Sequence, residues 1–270
     1  MKKRTEFFHT YDGRRMYFEE IVSGSEPLTL VLLNGLTQTT ASWDLLLKEL
    51  NWNGKIILCD LIFQGKSDKH GPSKDFDQHA SDVLALLGYL GVKQTIVAGI
   101  SYGSLVAQHF AVNHPKSLSR LILLSTFAHK TPMYRAIEQS WRHSLQTGGY
   151  ELMLDVMLPF VLGENYFRSP LIPIDLMKSM RIDLKPQKDA LLKLMEATEN
   201  RKDYLKELLS IECPTLIIQG EKDLLFPPSF AMAVNNHIKN SQLVILPGKG
   251  HTLNLEACKE IAGSIINFCK

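Results

Sequence analysis

A serine between two glycines is the pattern in this chain that is best suited to chemistry. Gly99-Ile100-Ser101-Tyr102-Gly103 follows an apolar run and precedes a second apolar run that begins at Leu105. The spacing predicts a strand that ends in a sharp turn at the serine, with a helix directly after it. The glycines let strand and helix approach closely, and the helix N-terminus favours negative charge near the hydroxyl. The pattern therefore indicates a serine nucleophile.

A serine hydroxyl needs an adjacent base, and two later loops carry suitable partners. Asp223 and His251 each follow directly after an apolar, strand-like run. A histidine that is oriented by a carboxylate is the usual way to activate a serine. Loops after parallel strands lie along one edge of a sheet, so we expect these two residues and Ser101 to meet there. Glu221 and Asp203 are the rival carboxylates.

The apolar runs around these loops predict an α/β fold. Strand-like runs alternate with helical ones, which is typical of a parallel sheet with helices on both faces. The predicted strands are Thr5–His9, Arg15–Val22, Leu28–Leu33, Lys55–Asp60, Thr95–Ile100, Leu118–Leu124, Pro214–Gly220 and Gln242–Leu246. A single closing helix is predicted over Asn254–Cys269.

The alternation of strand-like and helical runs stops between residues 126 and 209, where Leu, Met, Lys and Glu at helical spacing dominate. We predict a helical insertion (residues 126–209) between the sixth and seventh strands of a core made of residues 1–125 and 210–270. The prolines expected to break its helices are Pro132, Pro159, Pro170, Pro173 and Pro186. Its apolar face should mostly pack against the core, with a minority of side chains lining a pocket for an apolar group. That face consists of Trp141, Leu152, Met153, Val156, Met157, Phe160 and Val161.

The chain resembles the α/β-hydrolase superfamily, in the branch that has a serine nucleophile and a helical cap between strands six and seven. The segments that carry the resemblance span nearly the whole chain. They are Leu33–Leu36, Asp60–Ser67, Gly99–Gly103, Asn113–Pro115, Cys213–Asp223 and Gly250–His251. The resemblance implies a mostly parallel eight-stranded sheet flanked by helices.

By that resemblance, Ser101 is the nucleophile, His251 is the general base and Asp223 is the acid that orients it. The oxyanion hole would be formed by the backbone N–H groups of Leu36 and Tyr102, because its donors must point to where charge develops. The family pattern thus selects Asp223 over its two rivals.

Three residues depart from the family pattern, and none of them is in the triad. Asn34 stands where a histidine usually precedes the glycine of the oxyanion loop. Phe63 replaces a glycine in the loop after Asp60, and we expect it to form a wall of the pocket. Ser104 stands where a glycine often follows the turn.

The predicted function is hydrolysis of a small-molecule carboxylic ester with a small-to-medium apolar acyl group, through an acyl-enzyme. The expected pocket residues are Phe63, Trp141, Met153, Met157 and Phe160. The same triad serves hydrolysis of thioesters, lactones and carbon–carbon bonds, and these alternatives stay open. A ligand receptor or signalling partner with slow turnover is a further alternative. A serine nucleophile argues against the dehalogenases and epoxide hydrolases of this fold, which use an aspartate.

Composition favours a protein without nucleic-acid or membrane partners. The formal charge of +2 gives no reason to expect nucleic acid, and no apolar run has the length of a membrane span. The basic start lacks the apolar segment of a signal peptide, so we expect a cytoplasmic protein. The basic residues of the insertion are nearly balanced by acids, which leaves an acyl-carrier protein as a weakly supported partner. They include Arg135, Arg142, Arg168, Lys178, Arg181, Lys185 and Lys188.

We expect neither a metal nor a cofactor. His109 and His114 are five residues apart and do not share a helix face, and the other histidines form no ligand cluster. Gly99 and Gly103 lack the third glycine and the acidic residue of a dinucleotide-binding motif.

Overall fold

The computed structural model describes residues 2–24, 28–176 and 187–270. Strands from these residues form one sheet in the order β1-β2-β4-β3-β5-β6-β7-β8. The strands are β1 (Lys2–His9), β2 (Arg15–Val22), β3 (Thr29–Leu33), β4 (Lys55–Cys59), β5 (Thr95–Ile100), β6 (Leu118–Leu124), β7 (Thr215–Gly220) and β8 (Ser241–Leu246). β1 and β2 pair antiparallel, as do β2 and β4, and the remaining pairs are parallel. This confirms the predicted mostly parallel, eight-stranded sheet.

Helices cover both faces of the sheet, as an all-apolar central strand requires. In β3, Val31 and Leu33 join the core on one face, with α2 and α3, while Leu30 and Leu32 join the other, with α1 and α9. The helices are α1 (Asp44–Glu49), α2 (Phe76–Tyr89), α3 (Tyr102–Asn113), α4 (Pro132–Val161), α5 (Glu164–Arg168), α6 (Lys188–Asn200), α7 (Pro228–His237), α8 (Leu253–Glu256) and α9 (Cys258–Cys269). No helix in the described part of the chain is long and apolar enough to cross a membrane.

The described residues between β6 and β7 contain the helices α4 to α6 and no strand. Pro132 begins α4, but Pro159 lies inside it, so the predicted break at Pro159 is wrong. The helix is interrupted instead at Gly149, whose φ of 74° is accessible to a glycine and strained for other residues. Pro170 lies between helices, and Pro186 lies outside the described residues. The division into a core and an insertion remains a prediction.

The closing helix is not continuous, and the prediction of one helix over Asn254–Cys269 is wrong. Ala257 has a φ of −142° and separates α8 from α9. Both helices contact α1, and α8 also hydrogen-bonds back to Thr252 in the segment after β8.

Backbone crowding at Gly99 and Gly103 defines the turn at Ser101. A Cβ atom on Gly99 would lie 2.1 Å from the carbonyl oxygen of Gly103, and one on Gly103 would lie 2.2 Å from that of Leu33. The ends of β3, β5 and α3 thus approach each other at a distance that excludes any side chain.

We predict that Gly103→Ala lowers the free energy of unfolding by about 3 kcal/mol or more, because the clash is with backbone that cannot move aside. Urea denaturation measures the change. Gly263→Ala is the matched control, since its Cβ would meet no atom within 4 Å in the middle of α9. That variant should gain up to about 1 kcal/mol from helix propensity. Equal stability of the two variants would contradict the crowding argument.

Candidate active site

Ser101 occupies the turn between β5 and α3 with a φ of 52°, a backbone conformation that is strained for any residue with a side chain. Its amide donates to the carbonyl of Leu124 at 2.9 Å, which joins the turn to β6. The Ser104 hydroxyl donates to the Ser101 carbonyl at 2.6 Å, and its oxygen lies 2.9 Å from the Thr126 hydroxyl. Ser104, one of the three departures, therefore braces the turn with a hydrogen bond that a glycine could not form.

Asp223 and His251 form a buried pair at the ends of β7 and β8. The imidazole Nδ1 lies 2.8 Å from Oδ2 of Asp223. The other carboxylate oxygen accepts the backbone N–H groups of Leu225 and Phe226, at 2.9 and 2.8 Å. With its acceptors saturated in this way, the carboxylate holds one orientation and fixes the tautomer of the histidine. The remaining ring nitrogen, Nε2, is then available as a base.

A glutamine that the sequence analysis did not single out completes this carboxylate site. Gln219, in β7, donates from Nε2 to Oδ2 of Asp223 at 2.7 Å and to the carbonyl of Phe226 at 2.8 Å. The same side chain thus supports both the acid and the turn that carries it. A polar residue at an inward position of an otherwise apolar strand was the signal that could have identified it.

Ser125 holds the backbone of His251. It follows β6 with a φ of 48°, and its hydroxyl donates to the His251 carbonyl at 2.6 Å. The imidazole also packs edge-on against the Phe226 ring, with the centroids 5.3 Å apart. Backbone and ring are therefore both restrained, which lowers the entropy lost on reaching a reactive geometry.

Ser101 and His251 line one cleft, which encloses about 650 Å³ including its open mouth. The insertion and the loop after β3 supply most of the other walls, and most of those side chains are apolar. The lining residues are Gly35, Leu36, Thr37, Gln38, Ile100, Ser101, Trp141, Leu154, Met157, Leu158, Val161, Leu162, Leu225, His251, Thr252 and Leu255. Of the five predicted pocket residues, Trp141 and Met157 are among them.

The other three predicted pocket residues lie elsewhere. The Phe63 ring is buried between two cations, with Arg14 Cζ 5.2 Å and Lys193 Nζ 5.1 Å from its centroid. Phe63 thus joins the loop after β4 to the insertion rather than walling the cleft. Met153 is fully buried in the core, and Phe160 packs against that core from the outside.

Asn34 organises the loop that holds Leu36. Its Nδ2 donates to the Cys59 carbonyl at 3.0 Å and to Oδ1 of Asp60 at 3.1 Å, and its Oδ1 accepts the Trp43 indole N–H at 2.8 Å. An asparagine thus acts as donor and acceptor at once, which explains how the loop is ordered without the usual histidine. Burial raises the pKa of Asp60, and backbone N–H groups that donate to its carboxylate oppose that shift.

A reciprocal amide pair joins this loop to the segment after His251. Gln38 Nε2 donates to Oδ1 of Asn254 at 3.1 Å, and Asn254 Nδ2 donates back to Oε1 of Gln38 at 3.2 Å. Oε1 of Gln38 also accepts the Gly35 N–H. Residues 216 positions apart in the chain therefore fix the distance between two walls of the cleft, and one sequence gives no signal for such a pair.

The backbone N–H groups of Leu36 and Tyr102 donate to no acceptor among the residues that the structure describes. Leu36 lines the cleft, and Tyr102 is the first residue of α3, directly after Ser101. The Tyr102 side chain points away and packs against Phe76, with ring centroids 4.9 Å apart. Tyr102 thus contributes one of the unpaired N–H groups at the N-terminus of α3, and the role of both amides as oxyanion donors stays a prediction.

Three of the four basic residues noted in the insertion that the structure describes have local partners. Arg142 pairs with Glu199 and Arg168 with Glu164, while the Lys188 ammonium donates to the Gln146 carbonyl. Lys178, Arg181 and Lys185 lie outside the described residues. Across residues 2–24, 28–176 and 187–270, no group of three or more His, Cys, Asp or Glu side chains is arranged to hold a metal ion.

The comparison with a family model agrees with this geometry. Residues 29–157 match the model of the alpha/beta hydrolase fold, and a solved α/β-hydrolase enzyme from a Medee basin deep-sea metagenome library superposes over 98% of this chain and 97% of its own, with a TM-score of 0.89 and 26% identity. The chain has the α/β-hydrolase fold.

Relatives of this chain bear names of hydrolytic enzymes. A thermophilic esterase from Thermogutta terrifontis superposes over 98% of both chains, with a TM-score of 0.86 and 25% identity. A Klebsiella pneumoniae protein named "Putative carbamate hydrolase RutD" is 27% identical over 176 residues. That match spans 65% of this chain and 66% of the relative, just under two thirds of its length.

We predict that Gln219→Met lowers kcat/KM for any substrate of this protein by about tenfold, because the substitution removes one hydrogen bond to a buried carboxylate. Steady-state kinetics measures the loss. Gln242→Met, on the exposed face of the neighbouring strand β8, is the control and should be neutral. An unchanged kcat/KM in Gln219→Met would show that Asp223 does not depend on this donor.

Proposed function

We propose that this protein is a serine hydrolase that cleaves a carboxylic ester with a small-to-medium apolar acyl group through an acyl-enzyme. One observation carries the proposal: Ser101 and His251 line the same cleft, and the histidine is hydrogen-bonded at 2.8 Å to a buried carboxylate behind it. This is the constellation that activates a serine hydroxyl.

In the proposed reaction, Ser101 Oγ attacks the ester carbonyl carbon while His251 Nε2 takes the hydroxyl proton. The carbonyl oxygen becomes an oxyanion, which the N–H groups of Leu36 and Tyr102 bind. The loss of one such donor typically lowers the rate by about a hundredfold or more. The tetrahedral intermediate then expels the alcohol, which leaves with the proton from His251. Asp223 stabilises the imidazolium at each of these steps.

The second half of the reaction repeats these roles with water. His251 Nε2 removes a proton from a water molecule, whose oxygen attacks the carbonyl carbon of the acyl-enzyme. The second tetrahedral intermediate collapses by breaking the bond to Ser101 Oγ, which recovers its proton from the histidine. The products are the free acid and the original enzyme.

The apolar walls of the cleft support an apolar acyl group as the part of the substrate that is bound. Trp141, Leu154, Met157, Leu158 and Val161 all come from α4 and face the same space as Ser101. Burial of such a group contributes about 0.8 kcal/mol for each methylene. The esterase name of one structural neighbour supports ester chemistry, and the carbamate hydrolase name of one relative makes carbamates a useful comparison substrate.

We predict that the wild type hydrolyses nitrophenyl esters of graded chain length with an optimum at small-to-medium chains. Ser101→Ala should lower kcat by about a thousandfold or more, because no other group forms the acyl-enzyme. A fluorophosphonate probe should label the wild type and not the variant. Equal turnover by both proteins, together with no labelling, would refute the hydrolase proposal. Matched carbamates and thioesters identify the preferred acyl donor.

We predict that Met157→Ala shifts the chain-length optimum towards longer acyl groups, because Met157 lines the cleft and its truncation enlarges it. Met153→Ala is the matched control, since the same residue type in the same helix is fully buried in the core outside the cleft. That variant should lose about 2 to 5 kcal/mol of stability and keep the wild-type optimum. The same optimum in all three proteins would show that the acyl group binds elsewhere.

A further inference from the structure

Three glycine backbones press together around the loop that carries His251. A Cβ atom on Gly250 would lie 2.2 Å from the amide nitrogen of Gly163, in the insertion. On the other side of the loop, a Cβ on Gly220, at the end of β7, would lie 2.1 Å from the Gly250 carbonyl oxygen. No side chain fits at any of these contacts. The histidine loop is therefore held between the acid-bearing strand and the insertion.

One carboxylate oxygen binds both of the outer backbones in this stack. Oε2 of Glu256 accepts the N–H of Gly250 at 2.9 Å and the N–H of Gly163 at 3.1 Å. Oε1 is shielded from solvent and has no hydrogen-bond donor among the described residues. Burial raises the pKa of Glu256, and the two amides partly oppose that rise. Burial of a carboxylate costs free energy unless it is hydrogen-bonded, so the two backbone N–H groups offset part of the cost of this one.

Other contacts join the insertion to residues on both sides of His251. Thr252 donates to the Val161 carbonyl from its amide at 2.9 Å and from its hydroxyl at 2.8 Å. Asn165 Nδ2 donates to the Gly248 carbonyl at 3.4 Å. Of the residues that make these contacts, Glu256 binds Gly250, which immediately precedes His251. It binds through a carboxylate, which can carry charge.

We propose that Glu256 is a positioning residue for His251: it holds the histidine loop against the insertion and thereby keeps the base in place. The proposal rests on the proposed hydrolase function, because it assigns the support of that reaction's base. Glu256 does not touch the substrate cleft and acts through the backbone of Gly250.

The charges around the loop determine how Glu256 acts on the histidine electrostatically. Asp223 faces the imidazole from the loop after β7. Lys249 donates to the Glu256 carbonyl and pairs with Glu260 on α9. On the insertion, Glu164 and Arg168 pair with each other on the exposed side of α5. A negative charge on Glu256 interacts favourably with a positively charged imidazolium at His251.

Two substitutions at Glu256 separate position from charge. Glu256→Ala removes the acceptor, and kcat should fall by about tenfold to a hundredfold, as expected when a catalytic group is misplaced. Glu256→Gln keeps an oxygen for both N–H groups, so it should restore kcat on the pH plateau to within about threefold of the wild type.

Glu221→Ala is the matched control. The exposed Glu221 carboxylate accepts the Gly248 N–H at 2.9 Å, on the same loop but without a contact to the insertion. Water replaces such an exposed acceptor, so kcat should stay within about twofold of the wild type. All rates are expressed per active site, counted by fluorophosphonate labelling of Ser101. This separates a misplaced base from a loss of folded protein.

A measurement without substrate keeps this proposal separate from the proposed function. In a Ser101→Ala background, amide hydrogen exchange at Gly163 and Gly250 should accelerate in Glu256→Ala and stay close to the rate with Glu256 intact in Glu256→Gln. Unchanged exchange at both glycines, with wild-type kcat per labelled site in Glu256→Ala, overturns the positioning role. If no ester is turned over by any protein, the hydrolase proposal fails, and the exchange still decides the role of Glu256.

Discussion

The site depends on one contact between backbone atoms: the start of α3 packs directly against the end of β3. Gly103 lies so close to the Leu33 carbonyl that a methyl group would overlap it. This approach brings the N-terminus of α3 beside the loop that contains Leu36. The positive φ of Ser101 then follows, because the chain must reverse within one residue to leave β5 and enter α3. The strain is local, and the flanking strands bear it.

Buried polar side chains fix the loops around this turn relative to one another. Asn34 joins the loop after β3 to Asp60, Gln38 joins it to Asn254, and Gln219 supports Asp223. A buried amide that lost its partner would cost about 1 to 3 kcal/mol, so each of these pairs selects one relative placement of two loops. Apolar packing alone would allow many placements of nearly equal energy. The specificity of the site geometry therefore resides in its hydrogen bonds.

Sequence patterns predicted the parts of this structure that depend on local physics. Apolar runs located the strands, and β5 and β6 began and ended at the predicted residues. The turn at Ser101 was visible because its glycines are forced by crowding within a few residues. The break at Ala257 and the interruption at Gly149 were not predicted, because each lies inside a run whose apolar spacing is that of a continuous helix. Phe63 shows a different limit, because the cations beside its ring come from the residue before β2 and from α6.

The cleft residues contributed by α4 follow its interruption at Gly149, apart from Trp141. Leu154, Met157, Leu158 and Val161 lie within less than three turns of one helix, whereas Ser101, Asp223 and His251 come from three loops of the sheet. Under the proposed function, the groups that contact a bound molecule and the groups that react with it are thus encoded in separate stretches of the gene. Mutations in one short stretch can alter which molecules are accepted and leave the reactive groups in place. Such a layout favours evolutionary diversification of substrate range over diversification of chemistry.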